Sequence, residues 1–345
     1  MDVLSPADLK KFGLKLCLFL LPLVLVLMSF WIFDPFKIIY KYNDFYADFL
    51  QPRVALNRSY VTTEIFLRSR DQHRYDSFIF GSSRSMAFLT EDWRPYLGEK
   101  ASPFHFDESA ETLFGLWSAL RFLDRLNIPI RNALLVLDEG VLGRLAENND
   151  FLFIHHPLIS GESRTKFYFQ FLKGYMSKGF FISYFDLKLF KTYRPYMKKF
   201  IENQLFTYDS VTNDYRWTGV EARIAADPEA YYSDESIFYR RDPRGDGESA
   251  AVIGEKQLSM LRDIKQIFDQ HATDCQIVIS PLYGQRNINR GDVQALKSLF
   301  GAGRVHDYSG VNALTADVSN YYEIHHYRPK AARAILKEIY APTPA

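Results

Sequence analysis

A serine hydroxyl becomes a useful nucleophile only when a base takes its proton. The base works best when a carboxylate orients its other ring nitrogen. The chain carries these residue types near both ends of its polar portion. Gly81-Ser82-Ser83-Arg84-Ser85 follows the short apolar run Ser77-Phe78-Ile79-Phe80, and Tyr321-Tyr322-Glu323-Ile324-His325-His326-Tyr327 lies near the C-terminus. Glu323 and His326 are three residues apart, so one tight turn would set carboxylate and imidazole side by side. Nucleophilic catalysis at a serine of this run, with His326 as base and Glu323 as its orienter, is the chemistry this pattern suits. His325 is the alternative base. The plainer readings are Ser83 as a helix N-cap and Glu323–His326 as a surface turn ahead of a helix at Pro329.

These residues meet only if the fold brings them to one edge. Ser77–Phe80, Ala133–Leu137, Gln276–Ile279 and a short run at Arg304–Tyr308 read as strands. Between them, Thr112–Leu126, residues 255–270, Asp292–Phe300 and Pro329–Tyr340 show helical periodicity, with Leu113, Leu116, Trp117, Leu120 and Leu123 on one face. Strands alternating with helices predict an α/β fold with a mainly parallel sheet flanked by helices in three layers. Ligands in such a sheet bind beyond the carboxyl ends of the strands. Ser83, Asp138, Ser280 and Tyr283 all follow a predicted strand. Asp138 there is either a helix cap or an acceptor behind the reacting groups, and Arg84 either contacts substrate anions or lies on the surface.

Tyr75-Asp-Ser-Phe-Ile-Phe-Gly-Ser-Ser-Arg-Ser85 resembles the first block of the SGNH (GDSL-like) hydrolases, in the form found among membrane-anchored bacterial members. Tyr322-Glu323-Ile324-His325-His326-Tyr327-Arg328-Pro329 resembles the family's last block, Asp-x-x-His, with Glu in place of Asp. The likeness spans roughly residues 66–140 and 250–340. It implies a flavodoxin-like three-layer fold, Ser83 as nucleophile and oxyanion donor, His326 as base and Glu323 as the acid. The family's middle blocks supply a glycine amide and an asparagine side chain to the oxyanion hole. Here Ala110 and Asp138 stand nearest those places, and Arg84 joins them as a substrate contact. The implied reaction is O-acyl transfer or ester hydrolysis on a cell-envelope polysaccharide, with no cofactor. A multi-span membrane acyltransferase is the partner such members suggest. An inactive scaffold or glycan-binding subunit is the alternative.

The rest of the chain bounds these readings. It has 345 residues, with 42 Lys+Arg against 41 Asp+Glu, and this near-neutral balance argues against a general nucleic-acid binder. Two cysteines, Cys17 and Cys275, exclude a disulfide scaffold and a four-thiolate zinc site. His155-His156 has no carboxylate or thiolate at helical ligand spacing, so no metal is expected. Residues 12–33 are apolar apart from Lys15 and long enough to cross a hydrocarbon core of ~30 Å. With aromatics at their end and no small-x-small site, they read as a retained anchor rather than a cleaved signal peptide. The expected layout is a cytoplasmic tail at 1–11, the anchor at 12–33, a stalk at 34–65 and the α/β domain at 66–345. That domain would stand on the periplasmic side of a bacterial inner membrane. A helical insertion is expected at about 143–250. Its Ser163–Gln204 part holds nine basic residues, two acidic and thirteen Phe or Tyr, and is either a self-packed subdomain or a surface that rests on a bilayer or docks a membrane partner. Asn57-Arg58-Ser59 matches a glycosylation sequon.

Overall fold

The computed structural model describes residues 6–47 and 52–341. Residues 1–5 of the expected tail, 48–51 of the expected stalk and 342–345 lie outside the described residues. The principal helices are α1 (Pro6–Phe33), α2 (Arg58–His73), α3 (Leu113–Arg125), α4 (Arg164–Met176) and α5 (Lys178–Phe190). They continue with α6 (Thr218–Ala226), α7 (Pro228–Ser233), α8 (Glu255–Gln270), α9 (Arg290–Phe300) and α10 (Pro329–Ile339). The principal strands are β1 (Ser77–Gly81), β2 (Pro103–Asp107), β3 (Asn132–Leu137), β4 (Asp274–Ile279), β5 (Val305–Asp307), β6 (Tyr321–Glu323) and β7 (His326–Tyr327).

Two compact units form, Met1–Leu56 with Tyr168–Asn203, and Asn57–Phe167 with Gln204–Ala345. The second is α/β. Its five-stranded sheet has the order β2-β1-β3-β4-β5, with every neighbouring pair parallel. This is the doubly wound order of the flavodoxin type. Strands covered on both faces read as continuous apolar runs, as Ala133–Leu137 does. On one face Ile79, Leu134, Val136 and Val278 pack with Ala331, Ala332, Ile335 and Leu336 of α10. On the other, Phe66 of α2 lies edge-on to Phe78, Phe104, Phe106 and Phe122. The aromatic richness is thus partly a core feature. Thr112 starts α3 by accepting from the Gly115 amide, as a threonine N-cap does.

The unit boundaries differ from the expected layout. Residues 58–65, read as stalk, form the first half of α2, and Val61, Ile65 and Phe66 are fully buried in the sheet unit. Asn57 caps α2, and its amide group donates to the carbonyls of Phe151 and Ile154, so the sequon asparagine is buried and fully engaged. The insertion expected at 143–250 is not one body. Its Tyr168–Asn203 stretch belongs with the N-terminal segment, and the remainder is part of the sheet unit.

Within the first unit, α1 contains a stretch, Leu9–Phe33, that is long and apolar enough to cross a membrane. Phe30 packs on Tyr175, Phe33 on Tyr184, and Phe36 on Phe171 and Phe180. Ser29 and Tyr175 share a hydrogen bond of 2.7 Å. Asp34 ends α1, and its carboxylate accepts from the amides of Ile38, Ile39 and Tyr40 and from the Tyr42 hydroxyl.

Candidate active site

The strand β1 delivers Ser83 to the carboxyl edge of the sheet. Gly81 lets it turn there, because a Cβ at that position would lie 2.7 Å from the Val136 carbonyl oxygen and 3.0 Å from Ser85 Cβ. Ser82 then caps a short 3-10 turn, Ser83–Ala87, accepting from the Arg84 amide. The opposing residues come from the β6–β7 hairpin, whose register pairs Glu323 directly with His326 across the Ile324-His325 turn. Cross-strand partners lie about 4.5–5.5 Å apart at Cβ, which suits a hydrogen bond from imidazole to carboxylate.

Ser83 Oγ lies 2.8 Å from His326 Nε2. His326 Nδ1 hydrogen-bonds Glu323 Oε1, and Glu323 Oε2 accepts from the His325 amide at 3.0 Å. With a carboxylate on Nδ1, the ring holds its proton there and Nε2 is left as an acceptor for the Ser83 hydroxyl. Burial works against ionising Glu323, but the hydrogen bonds from His326 and the His325 amide outweigh it and hold the carboxyl below its ordinary value. His325 itself is exposed, and its main chain is what joins the site.

The segment after Gln204 braces this hairpin, a role no sequence spacing signalled. Trp217 stands edge-on to His326 at 4.9 Å between ring centroids. Arg328 makes a two-pronged ion pair with Glu221 of α6, which also accepts from the Tyr322 hydroxyl. Tyr231 of α7 donates to the Tyr322 carbonyl at 2.6 Å. A narrow cleft opens beside the serine, lined by Ser83, Met86, Tyr215, Trp217, Tyr322 and His326. Its volume is about 20 Å³, room for roughly one water.

Arg84 and Asp138 are joined to each other, Nη1 to Oδ2, at 2.6 Å. The other Asp138 oxygen accepts from the amides of Gly140 and Val141 at the start of a one-turn helix. Asp138 therefore meets donors with both oxygens and acts as their acceptor, not as an oxyanion donor. Arg84 also donates from Nε to the His325 carbonyl, which ties the serine turn to the histidine hairpin. Ala110 lies in the β2–α3 connection with φ +56°, a left-handed conformation that favours glycine. Ser280 is buried against Tyr327, and Tyr283 donates to the Tyr239 carbonyl, so neither adds a reactive group.

Two buried clusters were missed by the sequence reading. Ser85 Oγ lies 3.0 Å from His105 Nε2, and His105 Nδ1 lies 3.3 Å from Asp214. The second cluster surrounds His155. Its Nε2 lies 2.8 Å from Glu108 and 3.0 Å from Glu111, and its Nδ1 2.6 Å from Glu147. Among the described residues, Glu108, Glu111 and His155 are the one group whose donor atoms lie close enough together to hold a metal ion. The carboxylates that meet His155 arrive from the β2–α3 connection and from Glu147, none of them at helical spacing from it. The contacts are those of a hydrogen-bonded ion cluster. Burial disfavours the His155 charge, but Glu108 and Glu111 outweigh that and hold the imidazolium well above its ordinary value. Burial, then the Glu108 charge, pushes the Glu111 carboxyl up to about 7.

The chain matches no model of a known protein family, and no curated protein matches it in sequence.

Proposed function

We propose that this protein is a serine-dependent acyl-transfer enzyme, an SGNH-like esterase or O-acyltransferase held at a membrane by α1. The observation that carries the reading is the 2.8 Å approach of Ser83 Oγ to His326 Nε2 with Glu323 on the far ring nitrogen. In the first half-reaction, His326 Nε2 takes the Ser83 proton as Oγ attacks the acyl carbonyl carbon. The resulting oxyanion would be held by main-chain amides, those of Ser83 and Ala110 by the resemblance. Collapse breaks the bond to the leaving group, which departs with the proton from His326. An acceptor hydroxyl, or water, then gives its proton to His326 as it attacks the acyl-serine; collapse breaks the Ser83 Oγ–acyl bond, and His326 returns the proton to Oγ. Glu323 stabilises the imidazolium formed in each half.

The acceptor class is an envelope polysaccharide, with the enzyme on the outer side of a bacterial cytoplasmic membrane. This rests on the two motifs together with the apolar length of α1. Asp138 favours a second reading, a weakly active or inactive glycan-binding subunit beside a membrane acyltransferase. Its oxygens meet only donors, so one usual oxyanion donor is absent, and such a loss costs about 100–1000-fold in rate. The test is covalent labelling by a fluorophosphonate probe. Wild-type protein should label at one site, and Ser83→Ala should abolish it. Equal labelling of the two proteins refutes an activated Ser83.

A further inference from the structure

We infer that the first unit holds the headgroup of an anionic phospholipid in a basic-aromatic cavity at the C-terminal end of α1. The inference rests on α1 lying in a bilayer and is independent of the chemistry at Ser83. Immediately after the apolar helix, a cavity of about 590 Å³ is lined by Phe33, Lys37, Arg53, Leu187, Lys188 and Lys191, among others. That volume falls within the range of small-molecule sites.

The charges there are one-sided. Asp34 is the only acid among the lining residues, and its carboxylate is spent on three amides and the Tyr42 hydroxyl. Arg53 is paired with Glu202, and Lys37 donates to the Phe45 carbonyl. Lys188 stands 4.2 Å over the Phe33 ring. Neither Lys188 nor Lys191 has a carboxylate partner among the described residues. Residues 168–203 hold seven basic residues against two acidic, Asp186 and Glu202, and both acids are already paired.

The apolar surface beside the cavity selects a lipid over a free phosphate. Leu189 and Phe190 lie between Lys188 and Lys191 and are 73% and 63% exposed. Exposed apolar side chains of this size, joined to a helix fit for a bilayer and flanked by lysines, match the layering of a membrane interface. Acyl chains would lie along the apolar surface while the phosphate meets Lys188 and Lys191.

The test uses the full chain in nanodiscs made with equal parts phosphatidylcholine and phosphatidylglycerol. Native mass spectrometry then counts the lipids retained. Wild type should retain phosphatidylglycerol in preference to phosphatidylcholine. Lys188→Gln with Lys191→Gln should lower that preference about 30-fold, about fivefold per lysine. Lys188→Arg with Lys191→Arg should keep it, and so should Lys178→Gln, a lysine that does not line the cavity. Excess inorganic phosphate should leave the bound lipid in place. Equal retention of both lipids by wild type, an unchanged preference in the double glutamine variant whose melting matches wild type, or displacement by phosphate each overturns the inference.

Discussion

Replacing Glu323 with glutamine keeps the shape of the orienting side chain and removes one of its two acceptors. The carboxylate has two donors to satisfy, His326 Nδ1–H on Oε1 and the His325 amide on Oε2. A glutamine has one acceptor oxygen and one NH2 donor. If its oxygen takes the His325 amide, the NH2 faces Nδ1. The ring then carries its proton on Nε2, which donates to Ser83 Oγ and no longer acts as a base. If the side chain flips, Nδ1–H is satisfied, but NH2 is set against the His325 N–H, at a cost of about 1–3 kcal/mol. Replacing a charged acceptor by a neutral one also weakens support for the imidazolium, by about 1.5–3 kcal/mol. The two effects together predict a loss of roughly 100- to 10,000-fold in reaction rate. The assay is the second-order rate constant of fluorophosphonate labelling, with Ser83→Ala as the zero. Glu323→Asp keeps both acceptors on a shorter stem and should fall between wild type and Glu323→Gln. Labelling of Glu323→Gln at the wild-type rate would refute the assigned tautomer and, with it, His326 as the base.

Gly81→Ala should destabilise the sheet unit by about 1–3 kcal/mol and impair Ser83 labelling, because the new methyl meets the Val136 carbonyl at 2.7 Å on a backbone that cannot yield; an unchanged melt with full labelling would show that the turn has slack. Stability should fall as pH rises, because near neutrality the folded state holds protons that the unfolded chain releases. For Glu111 the window runs from about 4.5 to about 7, a difference of about 3 kcal/mol. The His155 contribution is present below its unfolded value of ~6.5 and is lost as pH rises through its higher folded value. Thermal melts between pH 5 and 8 (roughly the window just given) should show this slope in wild type and a flatter one in Glu111→Gln; identical slopes would place the bound protons elsewhere.

The sheet was legible where its strands are apolar throughout. Ala133–Leu137 and Gln276–Ile279 have no polar interruption except Gln276, and α8 spans the Glu255–Gln270 stretch its periodicity marked. The β2 strand was not read because Pro103 opens it and His105 sits in its middle, its ring met by Ser85 and Asp214 from other parts of the chain. The α2 helix was hidden by its mixture of Arg, Thr and aromatic residues, which read as stalk. The Ser83 turn and the Glu323–His326 hairpin were legible because each is local, a strand end and a three-residue step. Trp217, Glu221 and the carboxylates around His155 were not, since nothing in their spacing predicts which distant group they meet.

The run Ser82-Ser83-Arg84-Ser85 offers three hydroxyls within four residues, and composition cannot choose among them. Burial does. Ser85 belongs to a serine–histidine–aspartate chain of its own, but its hydroxyl donates to the Ser82 carbonyl at 2.8 Å. Ser85, His105 and Asp214 are each at most 2% exposed, so no acyl carbonyl can reach them. Ser82 is buried too and spends its oxygen on the Arg84 amide. Ser83 alone is half-buried, lines the cleft, and faces an imidazole whose accepting nitrogen is fixed from behind by Glu323. The buried chain then has a mechanical use. It anchors the turn one residue beyond Arg84 to β2, as Arg84 anchors it to Asp138 and to the His325 carbonyl. Ser83 is thereby held by the two anchored residues that follow it, which preserves the 2.8 Å approach without a contact to Ser83 itself.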